Sequence, residues 1–128
     1  MSFEEAEILK ERAEKFLFYA VKLFEDGEYD LAAFNLEQYC QLILKYKLLI
    51  KTGTYPRNHS IIKLLRELSK ISPEVKQLIE TEDYVIYLTK LEDAYIGATY
   101  LPRRYEKTEL NVLVKFVKGV FKSFVDRI

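Results

Sequence analysis

Glycine and proline are scarce in this chain, which has 4 and 3 of them among 128 residues. Since β-sandwiches and barrels need many turns built from these residues, the scarcity argues against an all-β fold. Tryptophan is absent, but 10 tyrosines and 8 phenylalanines supply aromatic bulk. Hydrophobic residues make up 49% of the chain and charged residues 31%, enough for a packed core beneath a charged surface. The length predicts a single domain over residues 1–128.

Other absences restrict the compartment and the partners. The only cysteine, Cys40, excludes an internal disulfide and suits a reducing cytoplasm. No apolar run approaches the roughly 20 residues that span a membrane, and the acidic N-terminus does not resemble a signal peptide. The 20 basic and 20 acidic residues balance, so bulk attraction to a polyanion is not indicated. We therefore expect a cytoplasmic protein without membrane contact.

Metal and cofactor motifs are also missing. One histidine and one cysteine, without an HExxH sequence or paired cysteines, predict no metal site. The carboxylates of Asp26, Glu28 and Asp30 lack calcium-loop spacing and suit the start of a helix. No glycine-rich phosphate loop is present, so we expect neither a metal nor a cofactor. Within a helical run, Cys40 is typical of a small packing residue.

The pattern along the chain is helical almost throughout. Ser2 and Glu5 predict a capping box before a first helix that Gly27 ends. A second helix is predicted from about Tyr29 to Lys51 and ended by Gly53, and a short third one carries the stripe from Ile61 to Leu68.

The second half of the chain predicts two more helices. Ser72-Pro73-Glu74 is a helix-start signal, and the fourth helix that follows is expected to be irregular near residues 81–83. YVIYLT (84–89) has strand propensity, but the surrounding period favours helix. Thr108 is the predicted cap of the last helix. Short links between the helices favour an all-α, up-and-down antiparallel bundle of four to five helices.

The second helix carries a polar line on an otherwise apolar surface. Gln38, Gln41 and Lys45 recur at i, i+3 and i+7. Buried polar groups without partners are unfavourable, so this line either faces a polar cavity or fixes the register of a dimer seam. Tyr39, Ile43 and Tyr46 form another line, which we assign to the core.

Three motifs in order resemble the HEPN family of small helical domains. The family shows a glycine turn, Tyr-Asp, a small or aromatic run, Gln-Gln, a Glu, and a lysine before two leucines. The matching residues here are Gly27, Tyr29, Asp30, Ala32, Ala33, Phe34, Gln38, Lys45, Leu48 and Leu49. A later histidine matches His59, and a Tyr followed by Arg-Tyr matches Tyr95 or Tyr100 with Arg104-Tyr105. Gln41 departs from the family's Glu, and Glu106 stands where a Pro commonly follows.

The resemblance covers roughly residues 5 to 125 and implies an HEPN-like helical bundle, usually a homodimer. Many members of this family occur in prokaryotes and pair with a small nucleotidyltransferase-fold protein as toxin and antitoxin. Others are linked to nucleotide or RNA binding. We expect the homodimer seam to involve Gln38, Gln41 and Lys45.

Members that cut RNA carry an Arg, four to six residues, and then a His. Arg103 or Arg104 could supply the Arg, but positions 107–111 read Lys-Thr-Glu-Leu-Asn. Metal-independent cleavage needs a proton carrier near neutral pH, which histidine usually provides. The only histidine, His59, could replace it only if the fold brings it to Arg104, and otherwise it caps or orients the third helix. Arg104, Tyr105 and His59 are thus weak catalytic candidates.

Binding is the favoured interpretation of the loop around Arg103 and Arg104. Guanidinium groups fork onto phosphates, and the rings of Tyr100 and Tyr105 could stack on bases. Lys115, Lys118 and Lys122, on one face of the last helix, could complete a basic rim. The competing interpretation is that one arginine pairs with a bundle carboxylate such as Glu37 or Glu92.

We therefore predict a non-catalytic, homodimeric HEPN-like binding module for a nucleotide, RNA or a nucleotidyltransferase partner. A ribonuclease toxin and a helical protein-interaction adaptor without nucleotide affinity remain the two alternatives.

Overall fold

The computed structural model describes residues 3–98 and 100–128, and these residues form helices and connecting loops without any strand. The helices are α1 (Phe3–Glu25), α2 (Tyr29–Thr52), α3 (Ile61–Ser69), α4 (Lys76–Glu80), α5 (Glu82–Gly97), α6 (Lys107–Phe116) and α7 (Lys122–Asp126). A 3-10 turn, Pro73–Val75, precedes α4. One π-helical turn, Val117–Phe121, joins α6 to α7, so the last three elements form a continuous C-terminal rod. The predicted all-α fold is confirmed.

The two long helices form a hairpin at the centre of the bundle. Gly27 ends α1 and Gly53 ends α2, both with the positive φ that glycine adopts readily. Ala6, Ala13 and Ala20 are buried at seven-residue intervals on α1, and these small side chains let it pack closely against α2. Since α2 is buried over much of its circumference, it forms the axis of the bundle.

The shorter helices confirm several predicted boundaries and correct one. Thr81 is extended and divides the predicted fourth helix into α4 and α5, as the irregularity suggested. The segment YVIYLT lies within α5 and is helical. Thr108 does not cap the last helix: Glu106 occupies that position, and the Glu109 carboxylate accepts a bond from its N–H at 3.1 Å. The prediction of Thr108 as the cap was wrong because the helix begins at Lys107, so Thr108 already lies inside it. Ser2 lies outside the described residues.

One hydrophobic cluster connects α1, α2, α3, α5 and the C-terminal rod. Tyr39 of α2 meets Phe121 of the rod edge to face, with ring centroids 6.0 Å apart. No helix in the described part of the chain is both long and apolar enough to span a bilayer.

Candidate functional site

A buried carboxylate, Glu37, lies in the middle of α2. It is completely inaccessible to solvent. Gln38 Nε2 donates to Glu37 Oε1 at 2.7 Å, and Gln41 Nε2 donates to Glu37 Oε2. Glu37 and Gln41 are one helical turn apart, which places their side chains on the same face of α2. The polar line predicted from the sequence therefore includes Glu37, for which the sequence suggested only a pairing with an arginine.

The network continues from Gln41 to two cationic or titratable groups. Lys45 Nζ donates to Gln41 Oε1 at 3.4 Å, and His59 Nδ1 lies 3.3 Å from the same oxygen. The His59 ring stacks on Tyr95 of α5, with centroids 4.7 Å apart and planes 16° apart. His59 thus belongs to the face between α2 and α5, and no contact joins it to Arg104 among the described residues.

Burial controls the protonation of this network. Loss of solvent raises the pKa of Glu37 from 4.5 to about 7, although bonds from Gln41 and Gln38 and the charge of Lys45 oppose the rise. Burial also lowers the pKa of Lys45, an effect that the Glu37 charge partly offsets. Both shifts disfavour the charged form, so neutral Glu37 is well populated near pH 7.

The segment before α3 is fixed by a carboxylate from α5. Glu92 Oε1 accepts from Ser60 Oγ at 2.6 Å and from the backbone N–H of Ile62 at 2.8 Å. Ser60 Oγ in turn accepts from the backbone N–H of Lys63 at 3.2 Å, so Ser60 is the cap of α3. Glu92 therefore accepts hydrogen bonds from two donors at the start of α3, and among the described residues it does not pair with an arginine.

A second long-range contact joins the start of α2 to the loop of residues 100–106. Asp30 Oδ1 accepts from the backbone N–H of Tyr105 at 2.7 Å, across 75 positions of the chain. Asp30 thus has a defined structural role, which is to hold this loop against the bundle. The sequence offered no signal for the contact.

The two arginines of the loop have different environments. Arg103 Nη2 donates to Glu109 Oε2 at 2.8 Å, and its guanidinium carbon lies 3.9 Å from the centroid of the Tyr105 ring. An arginine does pair with a carboxylate, but the partner is Glu109; neither Glu37 nor Glu92 is involved. Arg104 is exposed and makes no hydrogen bond or ion pair with a described residue.

The two tyrosines of the loop also differ. Tyr105 is buried, and its hydroxyl has no hydrogen-bond partner among the described residues. Burial raises the pKa of the Tyr105 phenol, while the neighbouring Arg103 cation opposes the rise. Tyr100, in contrast, is 72% exposed. Of the residues predicted to bind a ligand in this loop, Arg104 and Tyr100 are thus the accessible ones.

A shallow depression of about 220 Å³ adjoins Arg104. Its lining residues are Asp30, Ala98, Leu101, Pro102, Arg103 and Arg104. The three predicted lysines do not line it: Lys118 and Lys122 face a separate groove beside α1, and Lys115 lines neither cavity. The arginines and the lysines therefore do not share one concave surface.

The remaining predictions concern metal binding, Cys40 and the dimer seam. Residues 3–98 and 100–128 contain no group of three histidine, cysteine or acidic side chains suited to a metal ion. Cys40 is fully buried, which raises the pKa of its thiol well above the usual value and is typical of a packing residue. In the predicted dimer seam, Gln41 is already buried within the protomer, whereas Gln38 and Lys45 are partly exposed.

The HEPN domain model matches residues 6–128. No curated protein and no solved structure matches the chain. The family match covers nearly the whole sequence, including the α2 polar network and the loop that Asp30 holds. On the strength of that match, this chain belongs to the HEPN domain family.

Proposed function

We propose that this HEPN domain is a non-catalytic binding module that holds the phosphates of a nucleotide or single-stranded RNA at the loop of residues 100–106. The observation that carries the proposal is the exposed, unpaired guanidinium of Arg104. Arginine binds phosphate through two parallel N–H donors, and a free guanidinium has both available. Arg103 is already engaged with Glu109 and supports the loop.

Two further features support binding at this loop. Because Asp30 fixes the backbone at Tyr105, Arg104 projects from a restrained segment and loses less conformational freedom when it binds. The exposed ring of Tyr100 lies four positions before Arg104 and offers a surface on which a base can stack. A phosphate contact beside a stacking ring is the usual arrangement for single-stranded nucleic acid.

The positions of the side chains that could transfer a proton favour binding over RNA cleavage. His59 contacts Gln41 and Tyr95, so it is not placed to carry a proton at Arg104. Tyr105 is covered, and the raised pKa of its phenol keeps it protonated at neutral pH. Glu37 has a pKa near neutrality, but it has no solvent-accessible surface through which to reach a substrate.

Replacing Arg104 with alanine tests this assignment. We expect Arg104→Ala to weaken the binding of a labelled single-stranded RNA by about tenfold or more, since a charged hydrogen bond contributes roughly 1.5–3 kcal/mol. Arg66→Ala, at an exposed arginine of α3, is the matched control and should leave affinity unchanged. Fluorescence anisotropy at two salt concentrations measures the affinity and the slope of log K against log salt concentration. In Arg104→Ala this slope should fall by about one, which corresponds to the loss of one phosphate contact.

The absence of salt-dependent binding to both RNA and ATP would contradict the phosphate-binding assignment. It would favour the adaptor alternative, in which the helical surface contacts only protein.

We further propose that the module acts as a homodimer with a small nucleotidyltransferase-fold partner, in a toxin–antitoxin-like pair. The support for both is the family itself, together with the partly exposed Gln38 and Lys45 on α2. Light scattering at micromolar concentration should give twice the chain mass of 15.2 kDa, and the mass of a single chain would contradict the dimer. A nucleotidyltransferase encoded beside this chain should co-purify with it.

A further inference from the structure

A groove of about 580 Å³ runs along α1, on a part of α2 that does not carry the Glu37 network. Three helical stripes line it: α1 from Lys10 to Glu25, α2 from Tyr39 to Lys47, and the C-terminal rod at Lys118, Lys122 and Asp126. Its volume falls in the range of roughly 300–1,000 Å³ that is typical of small-molecule sites. It shares no lining residue with the depression beside Arg104.

The floor of this groove is apolar. Leu17, Phe18 and Val21 of α1 face Tyr39, Ile43 and Tyr46 of α2. Phe18 is 57% exposed even though it lies beside these apolar side chains. Contiguous exposed apolar surface with a polar rim is a mark of a binding site.

The rim is basic. Five lysines and three acidic residues line the groove, and Lys122 pairs with Asp126, which leaves four ammonium groups against two carboxylates. Lys10 Nζ and Lys47 Nζ each lie 5.9 Å from the centroid of the Tyr46 ring. Burial lowers the pKa of Lys47. The charge of Asp126 opposes this shift, and the smaller effects of the Lys51 and Lys10 charges add to it. An anion placed between Lys10 and Lys47 would reduce this repulsion.

An apolar groove with two ammonium groups, those of Lys10 and Lys47, beside the same Tyr46 ring suits one ligand chemistry, an alkyl chain that ends in an anion. We propose that this groove binds a free long-chain fatty acid, with its chain on the floor between α1 and α2 and its carboxylate between Lys10 and Lys47. This site is distinct from the phosphate-binding loop, and either assignment can fail without the other.

Calorimetric titration of the full chain with dodecanoate, below its micelle concentration, tests the assignment. We expect saturable binding that tightens by up to about fourfold for each added CH2 along the series octanoate, decanoate and dodecanoate, since a buried CH2 contributes about 0.8 kcal/mol. Dodecanol, which lacks the anion, should bind at least tenfold more weakly. Dodecyltrimethylammonium should not bind. Absence of dodecanoate binding, or equal binding of the cationic amphiphile, would overturn the site.

Surface variants locate the ligand without disturbing the core. Phe18→Ser removes part of the floor and Lys10→Glu reverses a rim charge, and each should weaken dodecanoate binding by tenfold or more. Phe3→Ser and Lys15→Glu, at exposed positions of the same helix, are the controls and should bind as the parent does. Circular dichroism confirms that each variant folds. Equal affinity in all four variants would refute the assignment of dodecanoate to this groove. A dimer that Phe18→Ser converts to a monomer would also refute it, because a second copy of the chain would then cover the groove.

Discussion

Glu37→Gln is expected to stabilise the fold at pH 8 by up to about 3 kcal/mol, because burial raises the pKa of the Glu37 carboxyl from 4.5 to about 7 and a tenfold change in proton affinity corresponds to about 1.4 kcal/mol. The carboxyl titrates near 4.5 in the unfolded chain and near 7 in the folded one. Between these values the folded state holds the proton that the unfolded state has released, so stability falls as pH rises from about 4.5 to 7. A neutral glutamine removes this loss and keeps one acceptor oxygen, so one of the two bonds from Gln38 and Gln41 is retained and the gain is smaller by the bond that is lost.

Urea unfolding followed by circular dichroism at pH 5, 6, 7 and 8 measures the effect. The difference in unfolding free energy between Glu37→Gln and the parent should be small at pH 5 and grow until about pH 7. Glu11→Gln, at an exposed position of α1, should show no such difference at any pH. A difference between Glu37→Gln and the parent that does not change between pH 5 and pH 8 would show that folding does not raise the pKa of Glu37.

Asp30→Ala is expected to release the loop of residues 100–106 and to lower global stability by about 2 kcal/mol. The carboxylate accepts a charge-assisted bond from the buried backbone N–H of Tyr105, and alanine leaves that donor without a partner. Trypsin cleaves after arginine, so the Arg104–Tyr105 bond reports on the opening of the loop. A loss of about 2 kcal/mol corresponds to roughly thirtyfold faster cleavage when opening precedes cutting.

The conservative variant separates the bond from the charge. Asp30→Asn keeps an oxygen acceptor and should lie between the parent and Asp30→Ala in cleavage rate. Asp26→Ala, at an exposed aspartate of the preceding turn, should behave as the parent does. Equal cleavage of Asp30→Ala and the parent would mean that other contacts hold the loop.

Local sequence signals predicted most of the helices because these signals act within a few residues. Gly27 and Gly53 end helices because glycine adopts the positive φ of a helix end without strain. The break falls on the β-branched Thr81, which is extended, while Glu82 and Asp83 already belong to α5. The cap of α6 was misassigned because Thr108 is a common capping residue, whereas the helix begins one residue earlier at Lys107 and Glu106 with Glu109 forms the capping box.

The candidate site was predictable only in part because its key contacts are long-range. Spacing placed Gln38, Gln41 and Lys45 on one face of α2, but only the fold shows that Glu37 is their common acceptor and that His59 joins them from a loop. The adjacent arginines looked equivalent in sequence. In the fold they differ, because Arg103 contacts Glu109 and Tyr105, whereas Arg104 is free to bind a ligand.

Binding and cleavage of RNA can be separated in a single experiment, because we expect this HEPN domain to hold RNA phosphates at Arg104 without cutting the RNA. Labelled single-stranded RNA is incubated with the protein in EDTA, and each sample is divided between a native gel, which reports binding, and a denaturing gel, which reports length. The account predicts RNA that is shifted by the parent, less shifted by Arg104→Ala, and full length in both. RNA fragments that form with the parent and disappear with Arg104→Ala would contradict it.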